Sequence, residues 1–231
     1  MRALILAGGE GLRLRPVSGD LPKCLAEVGG RPFIEHQIEL FKGEGITEFV
    51  LCVGIGAGLV KEALGDGRKL GVSIEYSLEE TPLGTAGAIK NASPLIDGRF
   101  LCANGDTLVE FSLSEMEAAH ATARAVTTIL FKETIATGRG TIKLGSNNEI
   151  KGFAEKASRD ALGLINCGYY IMERDVLSRI PPGKRVSLET ETLPELISSG
   201  ARVAGFPARG DFVDIGTPED YGRIKEKGWR R

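Results

Sequence analysis

The sequence predicts an α/β fold built on a mixed but mainly parallel β-sheet. Short apolar runs alternate with amphipathic stretches through the first half of the 231-residue chain, as expected when strands and helices follow one another along a parallel sheet. A glycine-rich loop follows the first apolar run directly, and Gly105-Asp106 follows a later one. In such sheets ligands bind beyond the carboxyl ends of the strands, so both segments are expected at the functional edge.

The elements of the first half follow from hydrophobic periodicity. In the segment 32–42, apolar residues are spaced to form one broad face of a helix. Short apolar runs bounded by glycine or polar residues indicate buried strands. We expect strands at 3–7, 49–53, 72–76 and 100–103, and helices at 32–42, 58–64 and 82–91.

The second half is richer in predicted strands. Asn147-Asn148 marks a hairpin turn, and Thr217 is the expected N-cap of a closing helix. We expect strands at 126–132, 141–144, 150–155, 164–172, 202–206 and 211–215, and helices at 188–198, despite its internal Pro194, and at 218–227. No linker or repeat divides the sequence, so one domain over 1–231 is expected, with halves at 1–110 and 111–231.

The loop after the first strand has the composition of a phosphate-binding segment. Gly8, Gly9 and Gly11 allow backbone N–H groups to approach a ligand closely, and Arg13 offers a guanidinium suited to phosphate oxygens. The loop lacks the Gly-Lys-Ser/Thr of a P-loop, and Leu14 stands where a dinucleotide fingerprint needs its third glycine. On these residues alone, an ordinary strand-to-helix turn with solvated arginines remains an alternative.

Composition excludes several classes of protein. Lys and Arg total 29 against 31 Asp and Glu, so the basic excess of a nonspecific nucleic-acid binder is missing. No stretch approaches the ~18 apolar residues of a membrane span, and the first apolar run ends too early for a signal peptide. The four cysteines show no C-x-x-C spacing, which argues against zinc or disulfides. We therefore expect a cytoplasmic protein without nucleic-acid or membrane partners.

The full N-terminal pattern is more specific than its parts. G-G-x-G-x-R-L-x-P, followed by Pro22-Lys23, resembles the signature of the sugar-1-phosphate nucleotidyltransferases, with Leu12 in place of the usual Thr before the Arg. The resemblance covers nearly the whole chain and implies a Rossmann-like, glycosyltransferase A-like sheet with a β-rich sugar-binding half. It also implies transfer of a nucleotidyl group from a nucleoside triphosphate to a sugar 1-phosphate, with release of pyrophosphate, and it leaves homo-oligomer formation open.

The resemblance assigns the catalytic and metal-binding positions. Arg13 would brace the triphosphate and Lys23 would neutralise charge at the α-phosphate. Asp106 and Asp214 match the metal carboxylates, and Mg²⁺ is the expected cofactor because it takes one or two carboxylates together with phosphate oxygens. A turn residue for Asp106 and a helix cap for Asp214 are the structural alternatives.

The same resemblance assigns the substrate-binding positions. The nucleotide side comprises Ala7, Gly8, Gly9, Gly11, Glu79, Gly84 and Thr85. On the sugar side, Glu155 and Asn166 would contact hydroxyl groups, Lys156 would meet the sugar phosphate and Gly140 would allow close backbone approach. A surface Glu-Lys pair is the alternative for Glu155 and Lys156.

The choice of nucleotide depends on Glu79, which lies where uridylyl- and thymidylyl-transferases commonly have Gln. A carboxylate only accepts hydrogen bonds, and guanine offers two adjacent N–H donors, whereas a pyrimidine edge offers one donor flanked by acceptors. GTP is therefore favoured, and the segments E-x-x-P-L-G-T-x-G, L-I-N-x-G and D-I-G-x-P-E-D-Y resemble those of the heptose 1-phosphate guanylyltransferases. UTP- or dTTP-dependent transfer to a hexose 1-phosphate, cytidylyl transfer to a polyol phosphate and a non-catalytic nucleotide-sugar sensor stay open, as does the sugar.

Overall fold

The computed structural model describes residues 1–9, 21–136, 140–154, 162–216, 218–225 and 229. The strands are β1 Arg2–Leu6, β2 Glu27–Val28, β3 Arg31–Pro32, β4 Glu48–Val53, β5 Ser73–Leu78, β6 Phe100–Asn104, β7 Thr107–Glu110, β8 Thr127–Ile135, β9 Thr141–Leu144, β10 Ile150–Ala154, β11 Leu162–Met172, β12 Val203–Pro207 and β13 Arg209–Asp214. The α-helices are α1 Phe33–Gly43, α2 Ala57–Leu64, α3 Gly84–Asn91, α4 Leu113–Ala123, α5 Leu193–Ser198 and α6 Pro218–Lys225.

One half of the central sheet is entirely parallel. Strands β6, β1, β4 and β5 lie side by side in that order, and Ala3 is in register with both Leu101 and Phe49. Helices connect these strands, which confirms the predicted α/β class. Because all four strands run in one direction, the segments that follow β1 and β6 emerge at the same edge.

The other half of the sheet is mixed. Strand β11 runs antiparallel to β6, β8 and β9, while β12 runs parallel to β8, and β9 and β10 form a hairpin. The turn predicted at Asn147-Asn148 is confirmed, since both residues have positive φ between β9 and β10. Asparagine tolerates this left-handed conformation better than most residues.

Alternation along the strands produces a core on each face of the sheet. In β1, Ala3 and Ile5 join one buried cluster, while Leu4 joins the other. In β4, Leu51 packs in the same cluster as Ala3 and Ile5, and Val50 packs in the cluster of Leu4 on the other face. Each fully buried Leu, Ile or Val side chain stabilises the fold by roughly 1.5–3 kcal/mol, so these strands anchor the sheet.

Several elements were not predicted from the sequence, among them the two-residue strands β2 and β3. Strand β7 and helix α4 were not predicted, although Ser112 and Glu115 have the spacing of a capping box. In the structure, Ser112 Oγ accepts a hydrogen bond from the backbone N–H of Glu115 at 3.4 Å. Strand β7 pairs with β13 outside the main sheet, with Thr107 opposite Asp214.

The helix predicted at 188–198 has a different first part. It begins with a π-helical turn at Leu188–Thr192 and becomes α-helical only at Leu193. Pro194 has no N–H to donate back along the helix, which is a physical reason for the irregular first turn. Among the described residues no helix is long and apolar enough to cross a membrane. Thr217 lies outside the described residues.

Candidate active site

The ends of β1 and β6 approach each other too closely for side chains. Gly105 N donates to Leu6 O at 3.0 Å, and a Cβ on Gly105 would lie 2.7 Å from that oxygen. Beside it, Ala7 N donates to Cys52 O at 2.9 Å, so β4 fixes the start of the loop at Gly8. The glycine-rich loop and the Gly-Asp turn are therefore neighbours, as predicted.

Lys23 lies across this junction. It begins a short 3₁₀ helix, Lys23–Leu25, directly after Pro22. Its Nζ lies 2.5 Å from Asp106 Oδ2, and the two side chains are 15% and 31% exposed. The partial burial strengthens the attraction relative to a surface pair. Residues that are 83 positions apart in the chain thus form one charged centre.

Asp214 reaches the same place through the β7–β13 pair. Ile215 N donates to Asp106 O at 3.0 Å, which ties the two aspartate segments together. The point where a Cβ on Gly216 would lie is 2.6 Å from Asp214 Oδ1 and 3.3 Å from Lys23 Nζ. Lys23, Asp106 and Asp214 therefore converge, as the sequence predicts.

The donor set fits Mg²⁺. The Gly105-Asp106 turn and the end of β13 each supply one carboxylate, and within the described ranges no cluster of three or more His, Cys, Asp or Glu residues could hold a metal ion. Mg²⁺ commonly binds through one or two carboxylates, with water and substrate phosphate oxygens as its other ligands. Asp106 and Asp214 could hold such an ion once a phosphate substrate is present.

Glu79 lies beside Gly8, at the start of the glycine-rich loop. Its Oε2 accepts a hydrogen bond from Leu83 N at 3.1 Å. A Cβ on Gly8 would lie 2.6 Å from Glu79 Oε1, so the glycine leaves room for the carboxylate beside the loop. Burial raises the pKa of Glu79, and the Leu83 N–H opposes that shift by stabilising the ionised form. The carboxylate oxygens are thus held next to the loop, as a base reader requires.

Helix α3 and the segment 184–188 close the cleft from the side. Val186 N donates to Leu83 O at 2.8 Å, and Ala86 N donates to Val186 O at 3.0 Å. A Cβ on Gly87 would lie 2.6 Å from Lys184 O, so this approach depends on glycine. The contact brings the exposed Arg185 to the cleft. Arg185 is not predicted from the sequence, because it lies in a loop without a recognisable motif.

A hydrogen-bonded chain connects α3 to β11. Thr85 Oγ1 donates to Glu189 Oε2 at 2.8 Å and accepts from Leu188 N at 2.7 Å. Tyr170 OH donates to Glu189 Oε1 at 3.2 Å, and Asn166 Nδ2 donates to Tyr170 OH at 2.8 Å. The nucleotide-side Thr85 and the sugar-side Asn166 are therefore linked through buried groups.

Two of the predicted sugar-side residues, Gly140 and Asn166, lie close together where β9 pairs with β11. Asn166 Oδ1 also accepts from Gly168 N at 2.9 Å, so its amide is oriented by the protein. Ile165 pairs with Thr141 in antiparallel register, which places Gly140 beside Asn166. Gly11, Arg13, Glu155 and Lys156 lie outside the described residues.

The start of the glycine-rich loop, Lys23, Glu79, helix α3 and the Gly105-Asp106 turn line one cleft of about 310 Å³. Its lining includes most predicted nucleotide-side residues and both members of the ion pair, namely Ala7, Gly8, Gly9, Lys23, Glu79, Gly84, Thr85 and Asp106. Cys24 also lines it, but burial raises the pKa of this thiol to about 12 and keeps it neutral. All four cysteines are buried and free of disulfides. The cleft thus offers backbone N–H groups and cations to a polyanion, and a carboxylate to a base.

A protein-family model and curated relatives match this chain along nearly its whole length. The Nucleotidyl transferase family model matches residues 2–228. A mannose-1-phosphate guanylyltransferase from Mycobacterium tuberculosis is 35% identical over 224 residues, which cover 96% of this chain and 62% of that protein. A mannose-1-phosphate guanyltransferase from Schizosaccharomyces pombe is 35% identical over 228 residues, with the same shares. The chain thus spans less than two thirds of the length of these relatives.

Solved structures show the same fold over the full length. HddC from Yersinia pseudotuberculosis was solved alone and in complex with GMP-PN. It superposes on this chain with a TM-score of 0.87 at 30% identity, and the match covers 98% of each protein. The inositol-1-phosphate CTP transferase from T. maritima has a TM-score of 0.77 at 22% identity, covers 97% of this chain and 95% of its own, and shares the fold. The chain belongs to the nucleotidyl transferase family.

Proposed function

We propose that this protein transfers a guanylyl group from GTP to a sugar 1-phosphate, forming a GDP-sugar and pyrophosphate. The observation that supports the proposal best is the convergence of Lys23, Asp106 and Asp214 beside a cleft that Lys23, Asp106 and Glu79 line together. Cations and metal ligands at one end suit a triphosphate, and a carboxylate beside the loop suits a purine with adjacent donors.

The reaction is an in-line displacement at the α-phosphorus. A phosphate oxygen of the sugar 1-phosphate attacks, the bond from the α-phosphorus to the bridging oxygen breaks, and pyrophosphate leaves with that oxygen. Two anions must meet and negative charge accumulates on the leaving group, so positioning and cationic stabilisation dominate catalysis. No side chain has to become covalently attached to the substrate.

The residues of this chain have separate tasks in that displacement. Lys23 neutralises charge at the α-phosphate, and Arg13 braces the triphosphate, as the resemblance implies. Asp106 and Asp214 would hold Mg²⁺, which when bound neutralises phosphate charge. Arg185 offers a further cation at the side of the cleft, where the second phosphate-bearing substrate would enter.

Two features support GTP as the donor. Glu79 is placed to accept hydrogen bonds from guanine N1–H and N2–H₂, and similar proteins are named guanylyltransferases or were solved with GMP-PN. UTP or dTTP remains the alternative donor, and mannose 1-phosphate and heptose 1-phosphates are the leading acceptors. Glu155, Lys156 and Asn166 on the sugar side, the cytoplasmic location and a homo-oligomeric state stay predictions.

A pyrophosphate-release screen tests the proposal. The four nucleoside triphosphates are each combined with a panel of hexose and heptose 1-phosphates in the presence of Mg²⁺. We expect the highest kcat/KM with GTP, together with mannose 1-phosphate or a heptose 1-phosphate. A preference for UTP or dTTP would contradict the assignment of the base, and tight GDP-sugar binding without turnover would indicate a sensor.

A further inference from the structure

A fully buried amide lies behind the charged centre. Gln37 projects from α1 and is 0% exposed. Burying a carboxamide costs free energy unless its polar atoms find partners. Its neighbours Ile34 and Ile38 on the same helix are apolar, so an apolar residue would suit the packing at least as well.

The amide nitrogen bridges the turn that presents Asp106. Gln37 Nε2 donates to Asn104 O at 2.8 Å and to Thr107 O at 3.0 Å. These two carbonyl groups stand immediately before and after Gly105-Asp106. The NH₂ group has two donor hydrogens, and this geometry accounts for both. Tyr169 OH adds a further hydrogen bond to Thr107 O at 2.9 Å.

The same turn determines where both aspartates lie. Asp106 O accepts the hydrogen bond from Ile215 N, and Thr107 is in register with Asp214. A shift of the turn would therefore move the Asp106 carboxylate relative to Lys23 and to Asp214 together. Groups that hydrogen-bond to metal ligands hold those ligands in position. Their loss commonly lowers metal affinity or activity by about 10- to 100-fold.

We propose that Gln37 is a positioning residue that fixes the 104–107 turn and thereby sets the Asp106 carboxylate for metal-assisted nucleotide binding. This inference rests on the proposed function, since it assumes that Asp106 binds a metal ion with the triphosphate. Gln37 itself touches no substrate. Its oxygen Oε1 has no hydrogen-bond partner in the described part of the chain, so its nitrogen is the functional end.

The test replaces Gln37 with Met, which has similar length and no donor. Thr107 O keeps its bond from Tyr169, so the fold should persist. The readout is the gain in GTP affinity on adding Mn²⁺, measured by calorimetry without a sugar phosphate and therefore without turnover. We expect Q37M to reduce this gain about tenfold, and to lower kcat more than it changes KM for the sugar 1-phosphate.

The matched control is Thr128→Val. This substitution removes an equally buried hydrogen bond, 2.7 Å long, between Thr128 Oγ1 and His120 Nδ1. Neither residue lines the cleft. T128V should lower the melting temperature and leave the Mn²⁺-dependent gain unchanged. The inference would be overturned if Mn²⁺ raised the GTP affinity of Q37M as much as that of the wild type. It would also be overturned if this Mn²⁺-dependent gain fell no further in Q37M than in T128V.

Two further variants separate the possible failures. If Q37M does not fold, Tyr169→Phe takes its place, since it removes the hydrogen bond to Thr107 O and keeps the aromatic ring. A partial reduction of the Mn²⁺-dependent gain in GTP affinity would support the inference. An unchanged gain would overturn it. Asp106→Asn tests the metal site itself. If Asp106→Asn keeps the full Mn²⁺-dependent gain in GTP affinity, the proposed function is wrong about the metal. If the gain falls in Asp106→Asn but not in Q37M, only the role of Gln37 is contradicted.

Discussion

At the scale of single residues, the proposed preference for GTP depends on Glu79. Its oxygens lie between the glycine-rich loop and Leu83 N, and burial raises its pKa above the ordinary 4.5. The exposed neighbour Glu80 offers the same charge without that placement. The sequence could predict the role of Glu79 because it occupies a recognisable motif. Arg185 could not be predicted, because only the fold of its loop against α3 brings it to the cleft.

Glu79→Gln is expected to narrow the preference for GTP. A glutamine keeps one acceptor but presents an N–H to one of the guanine donors, so the ratio of kcat/KM for GTP over UTP should fall by about tenfold or more. The matched variant Glu80→Gln should keep the wild-type ratio. Equal ratios in the two variants would show that Glu79 does not read the base.

The pH dependence of GTP binding should report the same carboxylate. Its ionised form accepts both guanine donors, and protonation removes an acceptor. Because the pKa of free Glu79 is raised, KM for GTP should rise as pH falls toward that pKa, beginning above the range of an exposed glutamate. In Glu79→Gln this acid-side rise should disappear. A rise that persists unchanged in the variant would assign it to another group.

At the scale of elements, helix α3 depends on its close contact with the segment 184–188. Gly84 and Gly87 allow the approach, and Thr85 binds Glu189 across it. The helix predicted at 82–91 is confirmed by α3, which begins at Gly84. Strand β7 was missed because it is four residues long and its partner β13 is distant in sequence. Periodicity is a local signal, so it cannot reveal such a pairing.

Gly87→Ala should damage both the contact and the site. The added Cβ would lie 2.6 Å from Lys184 O, which is backbone and cannot move aside cheaply. We expect a loss of stability of about 1–3 kcal/mol and weaker substrate binding as Arg185 shifts. Gly58→Ala in α2 is the matched control, since its Cβ meets nothing within 4 Å. It should stabilise the protein by up to about 1 kcal/mol, as followed by thermal denaturation.

At the scale of the whole molecule, topology creates the reactive end of the cleft. The β7–β13 pair brings Asp214 beside Asp106, and the 3₁₀ helix Lys23–Leu25 presents Lys23, whose Nζ lies 2.5 Å from Asp106 Oδ2. From the sequence this convergence could be expected only through a family resemblance, because no spacing rule connects the three residues. The placement of Glu155, Lys156 and Arg13 is still a prediction, since these residues lie outside the described ranges.

Pyrophosphate release from GTP with mannose 1-phosphate or a heptose 1-phosphate, compared between the wild type, Lys23→Ala and Asp106→Asn, tests the central claim most directly. Each substitution removes a charge that would face the reacting phosphates, so kcat/KM should fall about 10²- to 10³-fold. Lys69→Ala, a change of an exposed lysine in the 3₁₀ turn Arg68–Leu70, should leave it unchanged. Wild-type rates in Lys23→Ala or Asp106→Asn would contradict the account.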